Sequence, residues 1–511
     1  MSDATLTARE ATQLEDTPAE TPVTKPTGKV GEDGREFIKA DVAVIGAGSA
    51  GLSTAYVSAN LGLDVVLFEG AEMGGDCLNH GCVPSKALLA AAKAAYDVRN
   101  TAKYGITVDA EPKVDWQAVR EHVAGVIAQI APVDSVERYE GFGTRVVSEF
   151  ARFEDDKTVV SDSVRVQARR IVVATGSTAF IPPIPGLDKV PYLTNHTVFT
   201  TPDFPEKLVI LGGGPIGIEM AQAFQRLGSQ VTVVEMGRIL ARADKDHAKL
   251  AVERLEDEGI TMMEGHKAVE IGGEAGNITV TTETADGEKH SVNGTHLLVA
   301  VGRRTFLDGL DLEKANVKTH ARGVEVKKNM RSVSNPRVWA LGDATGKAQF
   351  THMAGHHAGI FVQAAFFKVP GVDADSTPMP AVTYMQPEIA QLGMTEEEAR
   401  AQYGNKVNVG SFPFHENDRA IAERKTDGEA KIITAGNKIL GASIIGDGAG
   451  DILQLVSVAM SNGLKPRALT SFISPYPTRA EVVKRATSSI FTPTLFSDKT
   501  KKLVGLLQRI P

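Results

Sequence analysis

Two cysteines, Cys77 and Cys82, are the whole sulfhydryl complement of a 511-residue chain. They lie in the stretch Gly74-Gly75-Asp76-Cys77-Leu78-Asn79-His80-Gly81-Cys82-Val83-Pro84-Ser85-Lys86. Thiols this close can cycle between dithiol and disulfide, whereas scattered buried thiols are inert. Five residues of regular α-helix rise ~7.5 Å, but a disulfide needs Cα atoms ~4.4–6.8 Å apart. The pair therefore requires a turn or a distorted helical start, which Asn79 and Gly81 permit. Pro84 suits the start of a helix over 85–95. A thiolate near that N-terminus is stabilised by the helix dipole, which lowers its pKa.

A second kind of chemistry is written twice. The apolar run 41–45 reads as a buried strand and enters Gly46-Ala47-Gly48-Ser49-Ala50-Gly51. A helical pattern over 52–61 follows, then a strand over 64–68 ending at Glu69. This is the dinucleotide fingerprint: glycines for a tight turn, for approach to pyrophosphate and for helix–strand packing, with an acid for the ribose. The pattern recurs as the strand 208–211, Gly212-Gly213-Gly214-Pro215-Ile216-Gly217, a helix to Leu227, and the strand 230–234 ending at Glu235. The first glycines are offset by 212 − 46 = 166 and the acids by 235 − 69 = 166. Two nucleotide sites beside a redox couple point to one tightly held flavin and one exchangeable nicotinamide. Glu235 favours NADH over NADPH, because a carboxylate there bonds a ribose 2′-hydroxyl and repels a 2′-phosphate. Arg238, close by in sequence, tempers that preference.

Other stretches must support these loops. Residues 170–176 and 338–343 read as buried strands ending in small-residue turns, at Thr175-Gly176 and Gly342-Asp343. Asp343 is placed to take hydrogen bonds from flavin ribityl hydroxyls. A helix opens at Thr351-His352, and His352 and His356 have metal-ligand spacing without a matching carboxylate, so no metal site is read here. Lys86 follows the cysteines by one helical turn and Glu219 follows the second glycine loop; an ion pair about the flavin would join them. The composition is that of a globular enzyme, 42% hydrophobic and 23% charged. A net charge of −8 leaves no basic footprint for nucleic acid. No apolar run is long enough to span a membrane. Residues 1–35, rich in Thr, Glu, Ala, Pro and Lys, read as a disordered tail without a secretory or mitochondrial signal. The expected location is cytoplasmic, where structural disulfides are rare and those present are catalytic or redox-sensing.

Together these motifs resemble the pyridine nucleotide–disulfide oxidoreductase family, in its dihydrolipoamide dehydrogenase and mercuric reductase branch, over roughly 37–486. The resemblance implies that Cys77 faces substrate and Cys82 faces FAD. It implies that Lys86 pairs with Glu219 beside the flavin, and that Gly46, Gly48, Gly51, Glu69, Gly75, Thr175, Gly176, Gly302, Gly342, Asp343 and His352 serve FAD. Gly212, Gly214, Gly217 and Glu235 would serve the nicotinamide dinucleotide. It also implies a homodimer in which Tyr476 and Glu481 complete the partner's site. The disulfide reductases of the family carry a His-Pro-Thr stretch and then a Glu; here the segment is Ser474-Pro475-Tyr476-Pro477-Thr478-Arg479-Ala480-Glu481, with tyrosine at the base position, as in mercuric reductase. Phenol titrates near pH 10 and imidazole near neutrality, so Tyr476 is a poor proton shuttle. The second, C-terminal cysteine pair of mercuric reductases is not in this sequence.

The expected architecture is α/β: two Rossmann-like dinucleotide-binding domains plus a C-terminal α/β dimerisation domain. The layout is a tail at 1–36, an FAD domain at 37–190 and 305–376, an NAD domain at 191–304, the dimerisation domain at 377–490 and a short basic tail at 491–511. Residues 145–166 read as a β-rich excursion. Electrons are expected to pass from NADH through FAD to the Cys77–Cys82 disulfide. The acceptor is a metal ion or soft electrophile, or a small disulfide such as lipoamide; a redox-sensing flavoprotein of low turnover is the third reading.

Overall fold

The computed structural model describes residues 25–510. Two compact units emerge, each assembled from separated stretches of chain. The first takes residues up to Pro183 together with Tyr192–Phe204 and Leu298–Ser376. The second takes Ile184–Pro191, Pro205–Leu297 and Thr377–Pro511. The boundaries differ from the 37–190, 191–304 and 305–376 expected from sequence: Ile184–Pro191 joins the second unit, whereas Tyr192–Phe204 and the chain from Leu298 belong to the first. Trp116 Nε1 donates to Thr201 O at 3.0 Å there, and Asn195 Nδ2 donates to Asp76 Oδ1 at 2.9 Å.

The first unit is built on an eight-stranded sheet. Its parallel centre runs Arg145–Val147, Val65–Phe68, Glu36–Ile45, Val164–Val173, with Val338–Ala340 parallel to the last of these. Glu36–Ile45 and Val164–Val173 are ten residues each and pair from Glu36↔Val164 to Ile45↔Val173. Both faces are covered. Ala43, Ile45, Val66, Phe68, Ile171 and Val173 feed one apolar core, and Val42, Val44, Val65, Leu67 and Val172 feed another. Burial on both sides explains why these strands read as continuous apolar runs. The β-rich excursion is present as the antiparallel strands Arg152–Phe153 and Thr158–Val160, which lead into Val164–Val173.

Two terminal expectations need correction. Of the tail expected over 1–36, residues 1–24 lie outside the described residues. From Lys25 the chain is tied down: Lys29–Val30 pairs antiparallel with Glu36 and Phe37, Gly28 N donates to Glu36 Oε1 at 2.7 Å, and Lys25 pairs with Glu140. Composition missed this because the segment is held by backbone pairing to an existing strand, which requires few large apolar side chains. At the other end, the stretch expected as a tail over 491–511 is largely helical. Helix Glu481–Leu495 runs past 490, and a further helix, Asp498–Leu507, is capped by Ser497, whose side chain accepts from Thr500 N.

In the second unit, the parallel strands Thr261–Glu264, Gln230–Glu235 and Lys207–Leu211 form a sheet joined by His296–Val299, where the chain returns to the first unit. A three-stranded antiparallel sheet (Lys267–Glu274, Asn277–Glu283, Lys289–Gly294) follows it. The C-terminal part is a five-stranded antiparallel sheet ordered Pro380–Thr383, Glu388–Gly393, Lys438–Gly446, Glu429–Ala435, Val407–Pro413. Helices Ala449–Ser461 and Glu481–Leu495 cover it through Val456 and Val483, packed with Ile432 and Ile444.

A buried ionic cluster binds the two parts of this unit. Arg226, on helix Pro215–Leu227, makes two 2.7 Å bonds to Glu258 and a 2.5 Å bond to Gln386 Oε1. The Arg226 and Glu258 side chains are only 4% and 6% exposed. Arg226→Ala would leave the buried Glu258 carboxylate only Arg254, at 3.6 Å, and Gln222, at 3.2 Å, and the expected loss is about 3 kcal/mol. The midpoint of denaturant unfolding reports it; an unchanged midpoint would show that the pair contributes nothing to stability.

Candidate active site

The cysteines sit where one helix stops and another starts. Helix Gly75–Asn79 carries Cys77 and ends at His80. Gly81 then adopts φ −130° and ψ −107°, and Cys82 is the first residue of helix Cys82–Arg99. The break demanded by the five-residue spacing is therefore present, though the second helix begins three residues earlier than expected from Pro84. Cys82 lies in the positive field of an eighteen-residue helix. Cys82 is exposed and Cys77 partly buried. Cys82 Sγ is 3.4 Å from Thr351 Oγ1, at the start of helix Thr351–Ala365. Lys86, partly buried, lies one turn after Cys82 on the same helix face and bonds Ser85 Oγ at 3.3 Å.

The nucleotide loop lies directly against this helix. Gly74 N donates to Ala47 O at 3.0 Å, and Gly75 has φ +59°. A Cβ on Gly75 would stand 2.8 Å from Gly48 Cα, a backbone atom with nowhere to go. Gly48 precedes helix Ser49–Asn60 and provides no side-chain cap, which leaves the first-turn N–H groups for an anion.

The 166-residue offset extends to atoms. In the first unit, Glu69 accepts from Ala47 N at 2.7 Å and from Ala71 N at 2.8 Å. In the second, Glu235 accepts from Gly213 N at 2.7 Å and from Gly237 N at 2.8 Å. Both donor pairs are 166 apart, 213 − 47 and 237 − 71. A Cβ on Gly51 would be 1.8 Å from Gly46 O, and one on Gly217 would be 2.0 Å from Gly212 O. Each acid thus braces its own glycine turn through the backbone, a role that the fingerprint alone does not announce. Burial pushes the Glu69 carboxyl up from its ordinary range, against the backbone bonds from Ala47 and Ala71. Arg238 Nη2 is held by the carbonyls of Ala241 (2.7 Å) and Ala243 (3.3 Å).

A polar network missed in the sequence links the Asp343 turn to the cysteine loop. Ser177 Oγ donates to Asp343 at 2.5 Å. Arg303 Nε and Nη2 donate to Ser177 Oγ and O, both at 2.8 Å, and Arg303 Nη2 pairs with Asp76 at 2.9 Å. Asp76 also meets Asn195 and, at 3.2 Å, His196 Nε2. His196 stacks on His80 with ring centroids 4.3 Å apart, and His80 Nε2 is 3.1 Å from Glu72. Burial works against the Asp76 carboxylate, but the His196 hydrogen bond and the Arg303 charge hold its pKa below the usual range. Burial, and then the neighbouring His196, lower the pKa of His80. Burial raises that of Asp343, opposed by Ser177 and Arg303. Position next to Gly302 was the only sequence signal for Arg303.

Thr175 Oγ1, two residues beyond strand Val164–Val173, is buried with no hydrogen-bond partner among the described residues. Gly176 follows with φ +72°, and Gly302 has φ +140°. His352 is exposed on the first turn of its helix and stacks on Phe350 at 5.2 Å. His356 Nε2 contacts Ala374 O at 3.1 Å. His357, fully buried, accepts from Gly342 N through Nδ1 at 3.1 Å, and burial takes its pKa down to about 4. The open helix terminus, the unpartnered Thr175 hydroxyl and the acid at Asp343 suit a dinucleotide with a polyhydroxyl chain.

The second unit holds Glu219, buried, whose Oε1 accepts from Tyr384 N at 2.9 Å. Tyr476 is 74% exposed and donates to Asp418 Oδ2 at 2.8 Å. Glu481 pairs with Arg485 at 2.9 Å. The phenol is thus engaged by Asp418, a residue that sequence spacing did not single out, whereas Glu481 was its expected partner. The hydrogen bond and charge of Asp418 raise the Tyr476 pKa above that of ordinary phenol.

Two glycine-turn nucleotide sites and a cysteine pair pressed on one of them define a two-dinucleotide redox protein. Residues 40–358 match the family described as pyridine nucleotide-disulphide oxidoreductase, and residues 379–487 match its dimerisation domain. The chain belongs to this family, whose enzymes use FAD and a pyridine nucleotide, and it is an oxidoreductase. It is 33% identical over 455 residues to a mercuric reductase of Streptomyces lividans, covering 87% of this chain and 95% of the relative. It is 34% identical over 461 residues to a dihydrolipoyl dehydrogenase of Haloferax volcanii, covering 87% and 95%. Among solved structures, the Cu(II) complex of the HOCl-induced flavoprotein disulfide reductase RclA from Escherichia coli superimposes with a TM-score of 0.77 at 26% identity, covering 88% of this chain and 99% of that one. No helix of the described residues is long and apolar enough to cross a membrane.

Gly75→Ala should separate the cysteine helix from the nucleotide loop and yield protein with reduced flavin content, read from the visible absorbance of the purified material. Full flavin loading would show that the close approach is dispensable. His357 gives a pH dependence of defined sign. The folded ring stays neutral down to about pH 4, whereas an unfolded histidine protonates near 6.5. Between those values the unfolded chain binds the extra proton, so stability falls with pH, by up to roughly 3 kcal/mol in all. Unfolding midpoints of the parent and His357→Gln across this window should converge as the pH drops.

Proposed function

We propose that this chain is an NADH-dependent flavoprotein reductase that passes electrons from the Cys77–Cys82 couple to a soft, thiol-seeking metal ion. The observation that carries this reading is the phenol of Tyr476 bound to Asp418, with its pKa raised. Reduction of a small disulfide needs a proton acceptor for the attacking thiol and a donor for the leaving thiolate. A phenol titrating above its normal range is a weak relay for that at neutral pH. A metal ion taking electrons from two thiolates needs no proton delivered to it. The mercuric reductase relatives and the Cu(II) complex of the RclA neighbour support the same direction.

Bound FAD would supply two-electron chemistry between NADH and a disulfide. Gly46, Gly48, Gly51, Thr175 and Asp343 would hold it in the first unit. Gly212, Gly214, Gly217 and Glu235 would hold the nicotinamide dinucleotide. NADH is favoured over NADPH because Glu235 is fixed by two backbone N–H groups, while Nη2 of Arg238 is held by the carbonyls of Ala241 and Ala243. The helix N-terminus at Cys82 and the ammonium of Lys86 stabilise thiolate there. Cys77 and Cys82 together yield two electrons and two protons as they return to the disulfide, enough to reduce one Hg(II) to Hg(0) or two Cu(II) to Cu(I). The dimerisation domain and the exposed Tyr476 support a homodimer in which Tyr476 and Glu481 serve the partner's couple.

A small-disulfide substrate is the competing reading, favoured by the dihydrolipoyl dehydrogenase relatives. Steady-state NADH oxidation against Hg(II), Cu(II), lipoamide and oxidised glutathione separates the two. Metal-dependent turnover is expected, abolished in Cys77→Ser with flavin retained, together with slow lipoamide reduction. Tyr476→His should raise lipoamide reduction on the order of a hundredfold. Fast lipoamide turnover by the parent chain would reverse the assignment.

A further inference from the structure

The helix Asp498–Leu507 buries none of its residues. At about 100° per residue, Leu503, Val504, Leu506 and Leu507, with Ile510 just beyond, share one arc of roughly 160°. Their exposures are 54%, 47%, 59%, 50% and 67%. Leu495 and Phe496, immediately before the helix, are exposed at 59% and 64%. The other arc carries Lys501, Lys502 and Arg509, with Asp498 the single acid; Lys499 falls just inside the apolar arc, beside Leu506. This basic segment belongs to a chain whose net charge is −8.

We propose that this helix docks the enzyme on a membrane surface rich in anionic phospholipid. A ten-residue helix is ~15 Å long, about half the hydrocarbon thickness of a bilayer, so it can lie in the interface but cannot span. An apolar arc opposite a lysine-rich one is the pattern of interfacial helices, which bury the apolar face among acyl chains and leave ammonium groups at the phosphates. A second copy of this acidic chain would also meet the basic charge, but lysine is depleted in the cores of protein interfaces, and here it borders the apolar arc. The proposal does not depend on which acceptor the dithiol reduces.

Flotation of the flavin-loaded full chain with phosphatidylglycerol or phosphatidylcholine vesicles tests the docking. The enzyme should float with the first and not the second, and less so as salt is raised. Lys501→Gln with Lys502→Gln should lower the partition coefficient roughly thirtyfold. Leu503→Asp with Leu507→Asp should abolish flotation while flavin content, NADH turnover and size in solution stay unchanged. Three results would overturn the proposal: no flotation with anionic vesicles, undiminished flotation of the leucine variant, or a change of oligomeric state in that variant. The last would assign the face to a second copy.

Discussion

Everything in the first unit turns on how closely two pieces of backbone meet. Gly75 and Gly48 stand so near that a single methyl group at Gly75 would collide with main chain. That contact sets the cysteine helix on the same glycine turn that exposes helix N–H groups for a dinucleotide. Side chains could be repacked around a misfit, but backbone against backbone cannot. The redox couple and the nucleotide turn are therefore one rigid object, and their spacing is insensitive to surface changes.

Charge is arranged around that object with similar economy. Arg303 stands between two carboxylates, paired directly with Asp76 and reaching Asp343 through Ser177. The two acids respond in opposite directions. Asp76, with a cation and His196 at hand, is held ionised; Asp343, reached only through a hydroxyl, is pushed towards its neutral form by burial. On the second unit, the carboxylate of Asp418 accepts from Tyr476 and raises the phenol's pKa, which holds the hydroxyl in its protonated form. In the reading proposed above, this weakens the proton relay that a disulfide substrate would use.

The duplicated nucleotide turns show how much a local rule can carry. Glycine closure, helix start and bracing acid recur atom for atom at an offset of 166 residues, since each depends on contacts within about thirty residues of chain. Residues whose role depends on distant partners were illegible. Ser177, Asn195, His196 and Arg303 occupy ordinary-looking sequence, and only folding gathers the last three at Asp76 and sets Ser177 between Arg303 and Asp343. The ordered segment from Lys25 and the helix after Ser497 were missed for a related reason: one is held by ladder pairing and the other by capping, and neither alters composition.

Sequence by itself determined the α/β architecture, both glycine turns and the need for a break between Cys77 and Cys82. These follow from spacing and residue chemistry within short windows, where hard-sphere limits and helix geometry leave few options. Tertiary structure alone decided that Gly75 abuts Gly48, that Tyr476 binds Asp418 rather than Glu481, and that residues 192–204 return to the first unit. Each of these joins residues far apart in the chain, and such a meeting depends on the packing of whole sheets and helices.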